Sequence, residues 1–336
     1  MNYSLFPSST VCDIVRLRRK IAASGLPPKH TDRNLLIGSW NIKAFTAVTD
    51  SFEENANASP KRNLRALASI AEIVSRFDII AIQEVKRNTS GIRLLQKWLG
   101  PDWGMLLTDV SGGDEGNSER LAFLYDQRRV QPSGLAGEIV LPVAPEGTPA
   151  DQFDRPPYMA GFRAGDDQFV LLTAHIKYGE VPEDRIPELN SLARYIASEI
   201  RDRVGDGNNE EANLIVLGDF NIDKREDNPL FQEFISTGLV VPPQLNGLRT
   251  AFGTKAKYYD QIAWFMGSLD LNFNNAGVID FTGTVHPELT LRSMAYRISD
   301  HFPLWAEFII DHSEEKMADT LGIDPGMPDP FSVVPD

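Results

Sequence analysis

Six short stretches of this sequence carry residues able to perform acid–base or metal chemistry, each beside a run of apolar residues. Asn41 follows Leu36-Ile37-Gly38-Ser39-Trp40, and Glu84 follows Ile79 to Gln83. His175 follows Leu171-Leu172-Thr173-Ala174, and Asp219 and Asn221 close the run Ile215 to Gly218. Asp260 stands just before Ile262-Ala263-Trp264, and Asp300-His301 just before Phe302-Pro303. Rigid strands ending in loops commonly present catalytic groups in this way. Taken singly, each has an ordinary explanation: an Asn or Asp after a strand forms turns. Together they say more. The chain has five histidines, and two stand at such junctions. Acids and amides suit hard, oxygen-seeking cations such as Mg²⁺. Neutral imidazoles paired with carboxylates suit proton transfer near neutral pH.

The elements that must position these residues are legible in outline. Leu35-Leu36-Ile37, Asp78 to Ile82, Leu121 to Tyr125, Phe169 to Thr173, Leu214 to Leu217, Ile262 to Phe265 and Pro303 to Ile309 read as buried strands. The spacing of Leu64, Leu67, Ala68, Ala71 and Val74 predicts an amphipathic helix over Lys61 to Arg76, with Ser59 as cap before Pro60. A second helix is expected from Pro187 to Val204, with Leu189, Leu192, Ala193, Ile196 and Ile200 on one face. Many strands with few helices indicate two packed sheets rather than one doubly wound sheet.

Composition bounds the possibilities. The 336 residues, 42% hydrophobic and 24% charged, are ordinary for a folded protein with a sizeable core. One cysteine, Cys12, excludes an internal disulfide and a cysteine-based zinc cluster. No stretch approaches the ~20 apolar residues that span a bilayer, and residues 1–27 lack a signal-like apolar core. The expectation is a cytoplasmic protein. The net charge of −14 opposes bulk attraction to nucleic acid. It is unevenly spread: residues 1–33 hold six bases against two acids, and residues 311–336 seven acids against one base. The expected organisation is an N-terminal extension with a short helix (1–33), a catalytic region (34–310) and an acidic, disordered tail (311–336).

The motifs also carry a resemblance. Trp40-Asn41-Ile42-Lys43-Ala44-Phe45, Ile82-Gln83-Glu84-Val85, Thr173-Ala174-His175, Leu217-Gly218-Asp219-Phe220-Asn221, Tyr259-Asp260-Gln261-Ile262 and Ser299-Asp300-His301-Phe302-Pro303 stand in the order of the motifs of the endonuclease/exonuclease/phosphatase superfamily. Glu119 to Tyr125 and Phe153-Asp154-Arg155-Pro156-Pro157 resemble segments of its deoxyribonuclease I branch. The similarity spans residues 34–310. It implies an α/β (α+β) fold, a four-layer αββα sandwich of two packed mixed sheets flanked by helices.

By that resemblance Glu84 is the main metal ligand, helped by Asn41 and Asp300, with Mg²⁺ the expected ion and Mn²⁺ or Ca²⁺ as alternatives. Asp219 and Asn221 hold or activate the attacking water, or hold a second metal. His301 is oriented by Asp260, and His175 by Glu119. Arg155, Lys86 and Asn117 are the expected phosphate contacts. Lys86 and Asn117 stand where the branch has a groove-contacting arginine and a tyrosine. The implied function is metal-dependent phosphodiester hydrolysis, most simply by an endonuclease acting on DNA. The alternatives are a phosphatase or phospholipase on the same scaffold, or a binding module that has lost catalysis.

Overall fold

The computed structural model describes residues 1–111, 118–142, 152–197, 213–253, 255–265, 269, 271–325, 327 and 330–334. In chain order it runs α1 (Ser8–Ala23), β1 (Asn34–Phe45), α2 (Leu64–Val74), β2 (Ile79–Lys86), α3 (Ser90–Leu99), β3 (Trp103–Leu107), β4 (Glu119–Asp126), β5 (Gln131–Glu138), β6 (Tyr158–Ala164) and β7 (Asp167–His175). There follow α4 (Ile186–Tyr195), β8 (Leu214–Asp219), α5 (Pro229–Ile235), β9 (Leu239–Val240), β10 (Asp260–Phe265), β11 (Asn272–Val278), α6 (Leu291–Ala295), β12 (Leu304–Ile309) and α7 (Ser313–Leu321).

The strands form two six-stranded sheets, ordered β11-β12-β1-β2-β4-β3 and β5-β6-β7-β8-β10-β9. Both have the same plan. A central parallel pair, β1 with β2 in one and β7 with β8 in the other, is flanked by antiparallel strands. The apolar runs are continuous because both faces of these strands are covered. In β1, Leu35 and Ile37 point into the core between the sheets, while Leu36, Trp40 and Ile42 point toward the helices. Leu171, Leu217 and Ile262 meet them from the second sheet, whose other face packs on Leu189, Leu192 and Phe234 of α4 and α5. Three cores therefore separate four layers, the expected αββα sandwich.

Several local expectations change. Helix α2 begins at Leu64, and Asn63, not Ser59, caps it by accepting a hydrogen bond from the Ala66 N–H. Thr49 bonds the carbonyl of Pro60 and bridges to Asn63, which holds the preceding residues in the loop. Helix α4 is described to Tyr195; the part of the expected helix over 198–204, including Ile200, lies outside the described residues. The segment read as an extension packs against the body: Ile14, Leu17 and Ile21 of α1 are buried, and Asp13 bonds Arg65 of α2 at 2.8 Å. The tail is not structureless over its first part. Glu314 and Glu315 favour the first turn of α7 and left-handed Gly322 ends it. His312 reaches Asp167 at 3.0 Å and Ala318 is buried. Composition understated this segment because ion pairs to the β6–β7 turn, not a large apolar face, dock it.

Candidate active site

The C-terminal ends of both parallel pairs meet at one edge of the sandwich. Register does much of the positioning: His175 lies opposite Asp219, and Asp219 opposite Asp260. Three adjacent strands thus present an imidazole and two carboxylates abreast. Gly218 makes this possible. A Cβ there would lie 2.1 Å from the Ala174 carbonyl oxygen, at a φ of +146° that side chains rarely adopt. Below the site, Gln83 of β2 spans the gap between sheets, donating to Thr173 of β7 at 2.9 Å.

On the other sheet, Asn41 ends the regular part of β1 and Glu84 sits in a bulge of β2 with a φ of +60°. The bulge turns the Glu84 carboxylate onto the Ala44 N–H at 2.8 Å and the Asn41 amide at 2.9 Å. The same amide nitrogen bonds Asp219 Oδ2 at 2.8 Å, linking the two sheets.

Two carboxylate–imidazole pairs flank Asp219. Asp260 Oδ2 lies 2.8 Å from His301 Nδ1, and Glu119 Oε2 lies 2.9 Å from His175 Nδ1. Each carboxylate thereby fixes a ring and leaves its Nε2 outward. Both Nε2 atoms lie 3.7 Å from the one oxygen Asp219 Oδ2. Asp219 is buried. Burial alone would raise its pKa, but His301, His175 and the hydrogen bonds from Asn41 and the Asn221 N–H outweigh it and hold it low. Burial opposes charge on His301, yet Asp260 and then Asp219 raise it above the ordinary histidine range. Asp260 is pushed up by its own burial, against the pull of His301. One proton is therefore held tightly within that pair. Glu119 differs: burial is overcome by His175, Arg155 and Lys86, and its pKa falls to about 2.

Arg155, expected at a phosphate, lies against Glu119 Oε2 at 2.8 Å, with its Nη1 3.4 Å from the His175 carbonyl. Lys86 also meets Glu119, at 2.8 Å. Asp300 is paired with the Lys43 ammonium. Asn221 donates to the Ile176 carbonyl at 2.7 Å, which ties the loop after β8 to the end of β7. Asn117 lies outside the described residues. The structure thus gathers Asn41, Glu84, Lys86, Glu119, Arg155, His175, Asp219, Asn221, Asp260, Asp300 and His301 at one edge.

Sequence reasoning missed the residues that hold this cluster. Ser299 donates to the Asn41 carbonyl at 2.6 Å and accepts from the His301 N–H at 3.0 Å. Arg62 is buried, bonding the carbonyls of Arg297, Lys43 and Ile298 at 2.7, 2.8 and 3.0 Å, and burial lowers its pKa to about 10. Arg185 bonds the carbonyls of Tyr178 and Asn221 and the Asp223 carboxylate. Ser299 was in view only as part of a motif, and nothing in the local pattern marks Arg62 or Arg185. Tyr259, whose ring centroid lies 5.8 Å from that of His301, was in view only as part of a motif.

Two candidate cation seats can be compared. Ligand atoms of Asp219, Asp260 and His301 lie within 4.8 Å of one another, but His301 Nδ1 and Asp260 Oδ2 are already bonded to each other. Asn41 Oδ1 is buried with no hydrogen-bond partner, on the amide whose nitrogen bonds the Glu84 carboxylate. An orphaned amide oxygen next to a carboxylate is the donor set a hard divalent ion takes. The residues present fit such an ion.

A two-sheet αββα sandwich with acids, amides and two carboxylate-held imidazoles at one edge defines a scaffold for hydrolytic chemistry. The chain belongs to the endonuclease/exonuclease/phosphatase family, whose model matches residues 38–301. It is 30% identical over 256 residues to a deoxyribonuclease of Thioalkalivibrio sp. (strain K90mix), covering 71% of this chain and 65% of that protein. It is 25% identical over 202 residues to deoxyribonuclease gamma of Rattus norvegicus, covering 57% of each. The matches thus span less than two thirds of either relative. The human Nocturnin catalytic domain, solved with bound sulfate, shares the fold at a TM-score of 0.56 and 15% identity, covering 83% of this chain and 95% of that one. Among the described residues no helix is long and apolar enough to cross a membrane.

Proposed function

We propose that this chain hydrolyses phosphodiester bonds in DNA as a divalent-metal-dependent endonuclease. The observation that carries the reading is Asp219 Oδ2, 3.7 Å from the Nε2 atoms of two separately anchored imidazoles. One buried oxygen can hold a water between two groups able to move protons. The similarity of the chain to two deoxyribonucleases supports DNA as the substrate.

Glu84 and Asn41, with the second oxygen of Asp300, would hold Mg²⁺ or Mn²⁺. Such an ion supplies neutralisation of phosphate charge and orients the phosphoryl group. Asp219 and Asn221 position the attacking water. One imidazole accepts its proton while the other donates to the departing oxygen, each acting through Nε2 because Nδ1 is held. General acid–base groups of this kind contribute roughly 10²–10⁴-fold each. Arg155 and Lys86 place positive charge beside the His175 pair, where an approaching phosphate meets it.

The test is plasmid nicking by the purified chain in Mg²⁺ or Mn²⁺, with linear duplex, single-stranded DNA and RNA in parallel. The expected result is nicking that EDTA and Glu84→Ala both abolish. Full nicking in EDTA would sink the reading. Phosphate release from small monoesters without nicking would favour a phosphatase instead.

A further inference from the structure

A cavity lies where Arg225 meets Gln261 of β10. It has a volume of about 600 Å³ and is lined by Lys224, Arg225, Glu226, Phe231, Lys255 and Tyr258 among others. Three of these are cations and one is an acid, in a chain whose net charge is −14. The volume suits a small ligand.

Arg225 is the informative residue. It is 9% exposed. Its guanidinium donates Nε to Gln261 Oε1 at 3.0 Å and Nη1 to the Leu245 carbonyl, while Nη2 is buried without a partner. Among the described residues no carboxylate pairs with it. Burial lowers its pKa to about 10, and the only other group bearing on it is Tyr258, whose ring it overlies at 5.8 Å. A buried cation held by neutral acceptors, with one donor unused, is costly unless an anion completes it. Lys224 and Lys255, both exposed, add to that field from the cavity wall. Tyr258 and Phe231 add aromatic surface. Lys257 is different: it is engaged by Asp223 and is no part of this set.

The cavity is tied to the catalytic cluster. Gln261, which holds Arg225, follows Asp260 and lies opposite Gly218. Arg225 itself is six residues beyond Asp219.

We propose that this cavity is a nucleotide subsite, taking a phosphate on Arg225, Lys224 and Lys255 and stacking a base on Tyr258. It rests on the reading of the chain as a phosphodiesterase acting on nucleic acid, and names where a flanking nucleotide is held. Stacking on an aromatic ring and a basic wall is the general means by which proteins hold single strands without reading sequence.

The test uses the full chain in EDTA and calorimetry with thymidine 5′-phosphate, thymidine and inorganic phosphate. Thymidine 5′-phosphate should bind at least tenfold tighter than either fragment. The double variant Lys224→Glu/Lys255→Glu, on exposed positions that leave the fold intact, should weaken it at least tenfold, and Tyr258→Ala about tenfold. With Mn²⁺ restored, both variants should cleave bis(p-nitrophenyl) phosphate at the wild-type rate while KM for an oligonucleotide rises by a similar factor. Equal binding of inorganic phosphate, or binding untouched by the three substitutions, overturns the subsite. If the wild type cleaves no diester yet binds thymidine 5′-phosphate through these residues, the catalytic reading falls and the subsite stands.

Discussion

The two carboxylate–imidazole pairs have nearly the same N···O separation, 2.8 and 2.9 Å, and opposite electrostatic surroundings. Asp260 and His301 are buried together, and among the described residues no Lys or Arg contacts either carboxylate oxygen of Asp260. Their proton is held by mutual attraction across 2.8 Å, while burial penalises the Asp260 charge. Glu119 and His175 share their carboxylate with Arg155 and Lys86, so Glu119 stays ionised to about pH 2. The difference shows that a carboxylate can orient an imidazole in two ways. One is isolated from competing charge and binds the proton tightly. The other is over-neutralised and leaves a positive rim. Only the second pair offers an anion anything beyond the imidazole.

Substitutions can break this comparison. The largest loss is expected from Asp219→Asn, because that side chain faces both Nε2 atoms. kcat should fall by at least about 10⁴-fold, beyond either histidine variant alone. A loss no larger than that of one histidine would separate the two pairs functionally.

Next come His301→Ala and His175→Ala, each expected to lower kcat by at least ~10²-fold in the folded protein. Asp260→Asn should reproduce the first loss of kcat and Glu119→Gln the second, since an amide cannot hold the working tautomer. Double changes within a pair should cost little more than single ones, as for residues acting as a unit. Steady-state rates and melting curves on the same variants check this. Additive losses within a pair would mean that the pairing is structural only.

A smaller effect sharpens the electrostatic contrast. The folded pKa of Glu119, about 2, lies below the ordinary 4.5. Its ionised form therefore stabilises the fold above about pH 4.5, and that contribution is lost as pH falls toward 2. The magnitude is on the order of 3 kcal/mol. Denaturant midpoints of wild type and Glu119→Gln should converge over that window. Asp260, shifted upward, should show no such acid-induced loss, and parallel curves for Glu119→Gln would contradict the account.

The smallest effect is expected far from the site. The pKa of His312 is raised by its bonds to Asp167 and Glu315. The stabilisation is complete below its ordinary value of 6.5 and is lost as pH rises through the raised folded value. Because the pair is only half-buried and reached by solvent, His312→Ala should lower the melting temperature by only about 1 °C. kcat should not change. Melting curves below pH 6 and above pH 8 check it.

Much of the site was legible because its residues end apolar runs, and a run's end is a local property. Asn41, Glu84, His175, Asp219, Asp260 and His301 could all be found from their neighbours in the chain. The central strands were legible for the same reason: burial on both faces writes a continuous apolar run. Edge strands were not. β5, Gln131–Glu138, is exposed along almost its whole length and carries a proline and two glycines, so no pattern marks it. β11, with three asparagines in seven residues, was hidden similarly.

The amino-acid sequence alone determined which chemistries were present and which strands would be buried, because composition and periodicity act over a few residues. What only the tertiary structure decided was association. Arg62 became a staple, Arg155 a partner of Glu119 rather than a free cation, and α1 part of the outer layer. Each depends on atoms brought together from segments tens to hundreds of residues apart. A long side chain reaches its partner only after the sheets have set the register, and no local pattern records where that partner will be.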